Sequence, residues 1–276
     1  MKSVILAAAL VASASAHGMV RSIQGANGVE MPGLTVADGT PRDCSSNGCG
    51  SQADSAIIRQ REIRSGEASP LGRTQGAGPV SAADGIATFM GSGNGNGTAR
   101  PASAASIAQD LAADPDKRKR SKSRSMRVRQ LGASENLVGQ MAGTGAESGL
   151  PTASDNGEVT MTFYSVNADG GGPLNAMIDP TSGGTQMGAF EQAEVTQDVP
   201  GFLGFGRVTM SENPITVQMP AGMTCEGSVG GADNVCIVRV NNNTPAGPFG
   251  GAAAFTQSSA GRKRALEYRR KMKRSQ

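Results

Sequence analysis

The sequence predicts a mainly β protein built as a β-sandwich, and three features of the chain lead to this prediction. There are 39 glycines, which is typical of many turns and long loops. Apolar and polar residues alternate in short segments between residues 157 and 257, as they do in half-buried strands. Glycine and proline clusters separate these segments at intervals that suit two packed sheets. With seven Phe, two Tyr and no Trp, the core must consist of aliphatic residues and methionine.

Residues 1–16 predict a signal peptide. Lys2 supplies an early positive charge, and the apolar run from Val4 to Val11 is too short to span a membrane. Ala14-Ser15-Ala16 fits the small-x-small cleavage rule, so cleavage after Ala16 would make His17 the new N-terminus. A cut after Ala14 fits the same rule and would leave the histidine two residues inside the chain. We expect a secreted protein without a transmembrane segment.

Residues 17–90 are predicted to form the first part of the sandwich, and residues 151–258 the second part. The segments expected to fold in the first part are short strands at Gly18–Val20 and Gly33–Val36, a segment at Ala53–Arg64 that fits helix or strand, and a helix at Ala82–Met90 capped by Ser81. The strands expected in the second part are Glu158–Tyr164, Ile215–Met219, Val235–Val240 and Ala252–Gln257.

Residues 91–150 are predicted to be a disordered basic insert, and residues 259–276 a basic tail. The insert begins with a Gly/Asn/Ser run, and residues 117–130 carry eight Lys or Arg and no acid. Residues 262–274 carry eight more Lys or Arg and one acid, Glu267. The rest of the mature chain then has nine bases and 22 acids. Because that remainder is acidic, we do not expect a nucleic-acid partner. Such basic runs in secreted proteins contact anionic wall polymers or membranes, or mark dibasic processing.

The four cysteines of a secreted chain predict two disulfides. Their spacing favours Cys44–Cys49 and Cys225–Cys236, while the other two pairings stay open. A zinc site is the rival interpretation, but it lacks histidine partners.

Two sequons predict glycosylation, at Asn96 and at Asn242. The pattern is short and has a high chance frequency.

His17 is the only histidine of the chain. As an N-terminal residue it would offer both its amine and its imidazole, a chelate that suits copper.

Three segments carry a resemblance to fungal copper-dependent lytic polysaccharide monooxygenases. They are His17-Gly18, the turn from Val166 to Leu174, and the stretch from Cys225 to Gly251 that ends in Gly-Pro-Phe-Gly-Gly. The resemblance implies an immunoglobulin-like or fibronectin-like β-sandwich that starts at the N-terminal histidine.

A closer resemblance is to the fungal Egh-like virulence factors, also called appressorium-specific virulence factors or Gas and Mas proteins. It is carried by the segments 25–34, 38–50, 220–225 and 254–257. It implies a secreted or cell-surface fungal protein of host penetration, with residues 91–150 as a variable insert.

The chain departs from the copper enzymes at one position. A copper brace needs two imidazoles and an amine, but Tyr164 stands where the resemblance places the second histidine. A phenol is a poor copper ligand at neutral pH. Phe255 could line the axial side of such a site, or it could be a core residue of the last strand.

We therefore favour a secreted, virulence-associated protein of the fungal surface that is not an enzyme and binds cell-wall polysaccharide. Two alternatives remain. One is a copper-dependent polysaccharide monooxygenase that uses His17 with an unconventional second ligand, and the other is a copper-binding protein without oxidative chemistry.

Overall fold

The computed structural model describes residues 18–39, 41–42, 44, 50–75, 77–93, 135–207 and 209–275. Four predictions fall wholly or partly outside these residues: the signal peptide, His17, Cys49 and the glycosylation of Asn96. Residues 94–134 of the predicted insert lie outside them as well.

Strands dominate the described residues, which confirms the mainly β prediction. The strands are β1 (Gly18–Gln24), β2 (Glu30–Pro32), β3 (Ala56–Ile57), β4 (Arg73–Thr74), β5 (Gly78–Pro79), β6 (Thr152–Ala153), β7 (Glu158–Ser165), β8 (Asn175–Asp179), β9 (Glu191–Gln197), β10 (Ser211–Gln218), β11 (Gly227–Val229), β12 (Ala232–Asn241) and β13 (Phe249–Gln257). The α-helices are α1 (Gly50–Ala53), α2 (Gln60–Ser65), α3 (Ala82–Phe89), α4 (Leu137–Met141), α5 (Gly145–Ser148) and α6 (Ser259–Arg274).

The strands form one curled sheet in the order β2-β1-β7-β10-β9-β8-β12-β13-β3-β4-β5, with β11 beside β12 and β6 beside β13. Strand β9 joins the two layers, because Glu191–Ala193 pair with β8 and the residues after them pair with β10. On the other side, Leu34 N donates to Ala252 O at 2.8 Å. The curled sheet therefore encloses the main apolar core between two layers.

The core follows the alternation that the sequence shows. In β7, Val159, Met161 and Phe163 are buried, while the residues between them are exposed or half-buried. Methionines fill space that aromatic residues occupy in other proteins, since Met19 and Met161 are fully buried. In β13 the first seven residues are buried, so this central strand is covered on both faces.

The predicted strand at Gly33–Val36 is wrong. These residues form turns after β2, where Gly33 N donates to Arg21 O and Val36 N to Gly33 O. A Cβ at Gly33 would overlap with the carbonyl of Val20, so only glycine lets the chain fold back over β1 here. The ambiguous segment from Ala53 to Arg64 contains both β3 and most of α2.

The predicted helix at Ala82–Met90 is confirmed as α3, and the Ser81 hydroxyl accepts a hydrogen bond from Asp84 N at 3.3 Å. The predicted strands of the second half are also confirmed as β7, β10, β12 and β13.

Residues 135–150, predicted to be part of the insert, are packed on the body instead. The carboxylate of Asp38 accepts hydrogen bonds from Val138 N at 2.9 Å and Gly139 N at 2.6 Å, at the start of α4. Gly143 N donates to Thr88 O at 3.1 Å. The insert therefore ends earlier than predicted.

The basic tail forms α6, whose cap is Ser258, with its hydroxyl accepting from Gly261 N at 3.0 Å. Among the described residues, no helix has the length and apolarity needed to cross a membrane.

Candidate functional site

Strand β7 defines two ends of the sandwich, about 24 Å apart at a rise of 3.4 Å per residue. At one end Ser165 pairs with Gly18, the first described residue of β1. We name this the turn end. At the other end, Glu158 follows a loop whose Asp155 accepts a hydrogen bond from Ser258 at 2.6 Å, just before α6. We name this the helix end.

The turn end carries an exposed apolar turn, residues 202–205. Phe202 N donates to Phe205 O at 2.8 Å, and Phe205 N donates to Phe202 O at 2.9 Å. Phe202, Leu203 and Phe205 are 74%, 60% and 49% exposed. Leu203 and Gly204 both have positive φ, of 52° and 83°, as the two central residues of a tight hairpin turn do. The rings of Phe202 and Phe205 are therefore exposed to solvent, on a turn whose backbone is fixed by hydrogen bonds.

A second turn, residues 168–172, supports the apolar turn from below. Gly171 N donates to Gly204 O, and Gly204 N donates to Gly172 O, both at 2.9 Å. Gly206 N donates to Ala168 O at 2.6 Å. A Cβ on Gly171 would overlap with Gly206 N, so the two turns can lie this close only because residue 171 is glycine.

Asn242 holds the supporting turn in place and is fully buried. Its Nδ2 donates to Asp169 O at 2.6 Å, and its Oδ1 accepts from Phe249 N and from the Thr244 hydroxyl, both at 3.1 Å. The predicted glycosylation at Asn242 conflicts with this arrangement, because the amide nitrogen is bonded inside the protein and the fold leaves no space for a glycan.

Tyr164 lies near the turn end, on the face of β7 opposite to the core residue Phe163, and it is covered there by other parts of the chain. It pairs with Met19 of β1 and is buried in a small cluster with Met19, Val36 and Val166. Its hydroxyl donates to Arg42 O at 2.9 Å. The Tyr164 hydroxyl would have to give up this hydrogen bond to bind copper. The geometry therefore argues against Tyr164 as a second copper ligand.

Arg42 belongs to a buried ion pair next to Tyr164. Its Nε lies 2.7 Å from Asp54 Oδ2, and Asp54 Oδ1 accepts from Ala37 N at 3.2 Å. Glu135 lies 3.6 Å from the guanidinium. Burial raises the pKa of Asp54 to about 7, against the opposing effect of Arg42. The pair joins the segment after β2 to α1, and we assign it a structural role.

Phe255 is a fully buried core residue that pairs with Cys236. It belongs to the main core, whereas Tyr164 belongs to a separate cluster. The structure therefore does not bring these two residues together, and Phe255 occupies the core position that was the alternative prediction.

The predicted copper site stays a prediction, because His17 lies outside the described residues. Within those residues, no group of three or more His, Cys, Asp or Glu side chains could hold a metal ion.

The disulfide predicted between Cys225 and Cys236 is confirmed. Cys44 is also disulfide-bonded.

A groove of about 710 Å³ lies at the helix end, between α6 and the sheet. Two of its amides are used inside the protein: Gln218 Nε2 donates to Asn156 O at 2.9 Å, and Gln257 Nε2 donates to Met223 O at 2.9 Å. Charged side chains of Glu194, Glu267 and Lys271 also line the groove. We favour the turn end as the candidate site because its exposed apolar side chains are grouped.

Sequence reasoning missed the apolar turn, although a signal was present. Two of the seven phenylalanines lie within four residues, in Pro-Gly-Phe-Leu-Gly-Phe-Gly from Pro200 to Gly206. Glycines on both sides predict a turn, and apolar residues at the tip of a turn are unusual because tips face water.

Comparison with known proteins places the chain in a family. Residues 15–250 match the Egh16-like virulence factor family. The chain is 47% identical to the appressoria-specific virulence factor GAS2 of Pyricularia oryzae over 268 residues, which cover 96% of this chain and 92% of that relative. It is 38% identical to the appressoria-specific virulence factor GAS1 of the same fungus over 115 residues, 41% of this chain and 44% of that relative. No solved structure matches the chain. The chain therefore belongs to the Egh16-like virulence factor family.

Proposed function

We propose that this protein is a secreted virulence factor that works at the fungal surface during host penetration by binding cell-wall polysaccharide, without catalysing a reaction. The names of its relatives support a role in virulence and in the appressorium. The Cys225–Cys236 disulfide suits an oxidising compartment such as the cell exterior.

The observation that carries the proposal is the apolar turn. Exposed apolar side chains that are grouped mark interaction sites. Here Phe202, Leu203 and Phe205 are grouped in one turn. Met210 is also 49% exposed and lies at the same end, since its N donates to Val166 O at 3.3 Å. The C–H faces of sugar rings pack well on aromatic rings, and a rigid turn loses little conformational entropy when it binds.

The burial and the hydrogen bond of Tyr164 support a binding role over copper chemistry. Its hydroxyl is fixed on Arg42 O, so His17 would have to hold copper without this phenol. An amine and one imidazole supply fewer nitrogen ligands than a brace of two imidazoles and an amine, and weaker copper binding follows from that.

Co-sedimentation with insoluble polysaccharides tests the proposal. The protein is incubated separately with chitin, β-1,3-glucan, cellulose and xylan. We expect retention on at least one of them, and a loss of retention of about tenfold or more in the Phe202→Ala/Phe205→Ala variant. Leu266→Ala is the matched control, because Leu266 is 40% exposed and lies on α6 at the helix end.

Retention on none of the polysaccharides, or equal retention of the Phe202→Ala/Phe205→Ala variant, would refute polysaccharide binding by the turn. Release of oxidised oligosaccharides in the presence of copper and a reductant, abolished by His17→Ala, would replace it with the oxidative alternative. Mass spectrometry of the mature N-terminus must accompany that assay, since a start at Ser15 would remove the chelate.

A further inference from the structure

Helix α6 concentrates positive charge at the helix end of the sandwich. Its 16 residues include eight Lys or Arg and one acid, Glu267. The structure describes the whole helix, and all of its basic side chains except that of Arg262 are exposed. A polysaccharide-binding turn at the other end does not use this charge.

Three arginines fasten the helix to the body. Arg262 Nη1 donates to Asn234 Oδ1, Arg264 Nη1 donates to Asn156 Oδ1 at 2.7 Å, and Arg269 lies 3.6 Å from Glu226. Ala265 is the buried residue of the helix and marks the face that packs on the body. The helix is therefore held in a fixed direction by one side.

The other five cations have no ion-pair partner within the described chain. They are Lys263, Arg270, Lys271, Lys273 and Arg274. Lys263, Leu266, Arg270 and Lys273 are spaced by three, four and three residues, so they lie on one face of the helix. This basic stripe is about 15 Å long at 1.5 Å per residue. Glu267, four residues after Lys263 and three before Arg270, is the one acid at its edge.

An apolar side chain between the cations indicates the kind of partner. Leu266 lies within the basic stripe and is 40% exposed. Tyr268 and Met272, three and seven residues after Ala265, lie on the opposite face, which packs toward the body. A linear acidic polysaccharide or a nucleic acid would use only the charges. A bilayer surface uses both, because phosphate head groups attract the cations while apolar side chains enter the boundary of the acyl chains. The long stems of Lys and Arg also pack against that boundary.

We propose that the basic stripe of α6 binds the surface of anionic lipid bilayers. The stripe and the apolar turn lie at opposite ends of the sandwich, so this binding does not depend on polysaccharide binding. Because the attraction is electrostatic at a solvent-exposed surface, it weakens as salt rises.

Flotation of the full chain with lipid vesicles tests this proposal. Vesicles of phosphatidylcholine alone are compared with vesicles of equal parts phosphatidylcholine and phosphatidylserine. We expect binding only to the second kind, and a loss on the order of 100-fold in the Lys263→Gln/Arg270→Gln/Lys273→Gln variant, from three cations at the membrane surface. The matched control is Arg61→Gln/Arg64→Gln/Arg207→Gln, which removes the same charge from exposed arginines elsewhere and should retain binding.

Leu266→Ser separates a bilayer from other polyanions. It should weaken vesicle binding by about tenfold, since one leucine no longer enters the lipid, and should leave binding to polygalacturonate or DNA unchanged. Equal binding to both kinds of vesicle, equal loss in the two triple variants, or binding to a linear polyanion but not to phosphatidylserine vesicles would overturn the proposal. Each variant keeps the Ala265 contact, and its polysaccharide retention reports that the turn end is intact.

Discussion

The hydroxyl of Tyr164 donates to the carbonyl of Arg42 inside the protein, and this bond gives the residue a structural task. The sequence correctly places Tyr164 next to the start of β1, since it pairs with Met19. Alternation also places its side chain on the face of β7 opposite to Phe163. What the sequence does not show is the partner on that face, Arg42, which is 122 residues away in the chain.

Asp54 makes the stability of the protein depend on pH. Its folded pKa of about 7 lies above the usual value of 3.8, because burial penalises the carboxylate. Between these two values the folded protein keeps a proton that the unfolded chain has lost. The stabilisation of the folded protein by this proton is therefore complete below pH 4. It is lost as the pH rises to about 7, and the free energy of unfolding falls by at most about 1.4 kcal/mol per pH unit.

Urea unfolding at pH 5 and pH 8 measures this effect. We expect Asp54→Asn to lose less stability between the two pH values than the parent protein does, because Asn cannot ionise. Glu147→Gln, a change of an exposed carboxylate on α5, is the control and should keep the parent difference. The same pH difference in Asp54→Asn and in the parent would show that Asp54 does not carry the effect.

At the scale of elements, alternation predicted the strands whose two faces differ. Strands β7, β10, β12 and β13 were all predicted from their sequence. Strands β8 and β9 were missed, and β9 shows why. Only Ala193 is buried in Glu191–Gln197, because this strand crosses between two layers at an exposed edge of the core. Its pattern resembles that of a loop.

Residues 135–150 were missed for a different reason. They follow the basic run of residues 117–130, so the sequence predicts that they continue the disordered insert. Asp38 instead caps α4 from a distant part of the chain. Tertiary contacts of this kind override local composition and cannot be deduced from spacing.

The two turns of the turn end are coupled through Gly171. In Gly171→Ala the new methyl group would overlap with Gly206 N and force the two turns apart. We expect a loss of about 1–3 kcal/mol in the free energy of unfolding, the size of a buried overpacking defect, together with weaker retention on the polysaccharide that binds the parent protein. Gly188→Ala is the control, since a Cβ there meets open space.

Chemical denaturation and co-sedimentation of both variants check this prediction. Parent-like stability and retention of Gly171→Ala would show that the supporting turn does not position Phe202 and Phe205.

The whole molecule has two unlike ends. Aromatic and aliphatic side chains cover the turn end, and unpaired cations cover the helix end. Between the two ends lies the curled sheet, whose strands run from one end to the other. The turn end and the helix end therefore keep a fixed position relative to each other. Binding of a polysaccharide at one end and of an anionic bilayer at the other would let a single molecule bridge a wall and a membrane.

Amide hydrogen exchange on the polysaccharide-bound protein is the most direct test of the central claim that the turn end is the binding face. The exchange of residues 202–206 and 168–172 is compared with that of α6, in the free protein and in the protein bound to the polysaccharide that retains it. We predict slower exchange in those two turns on binding and unchanged exchange in α6. Slower exchange confined to α6 and its groove, with both turns unchanged, would contradict the account.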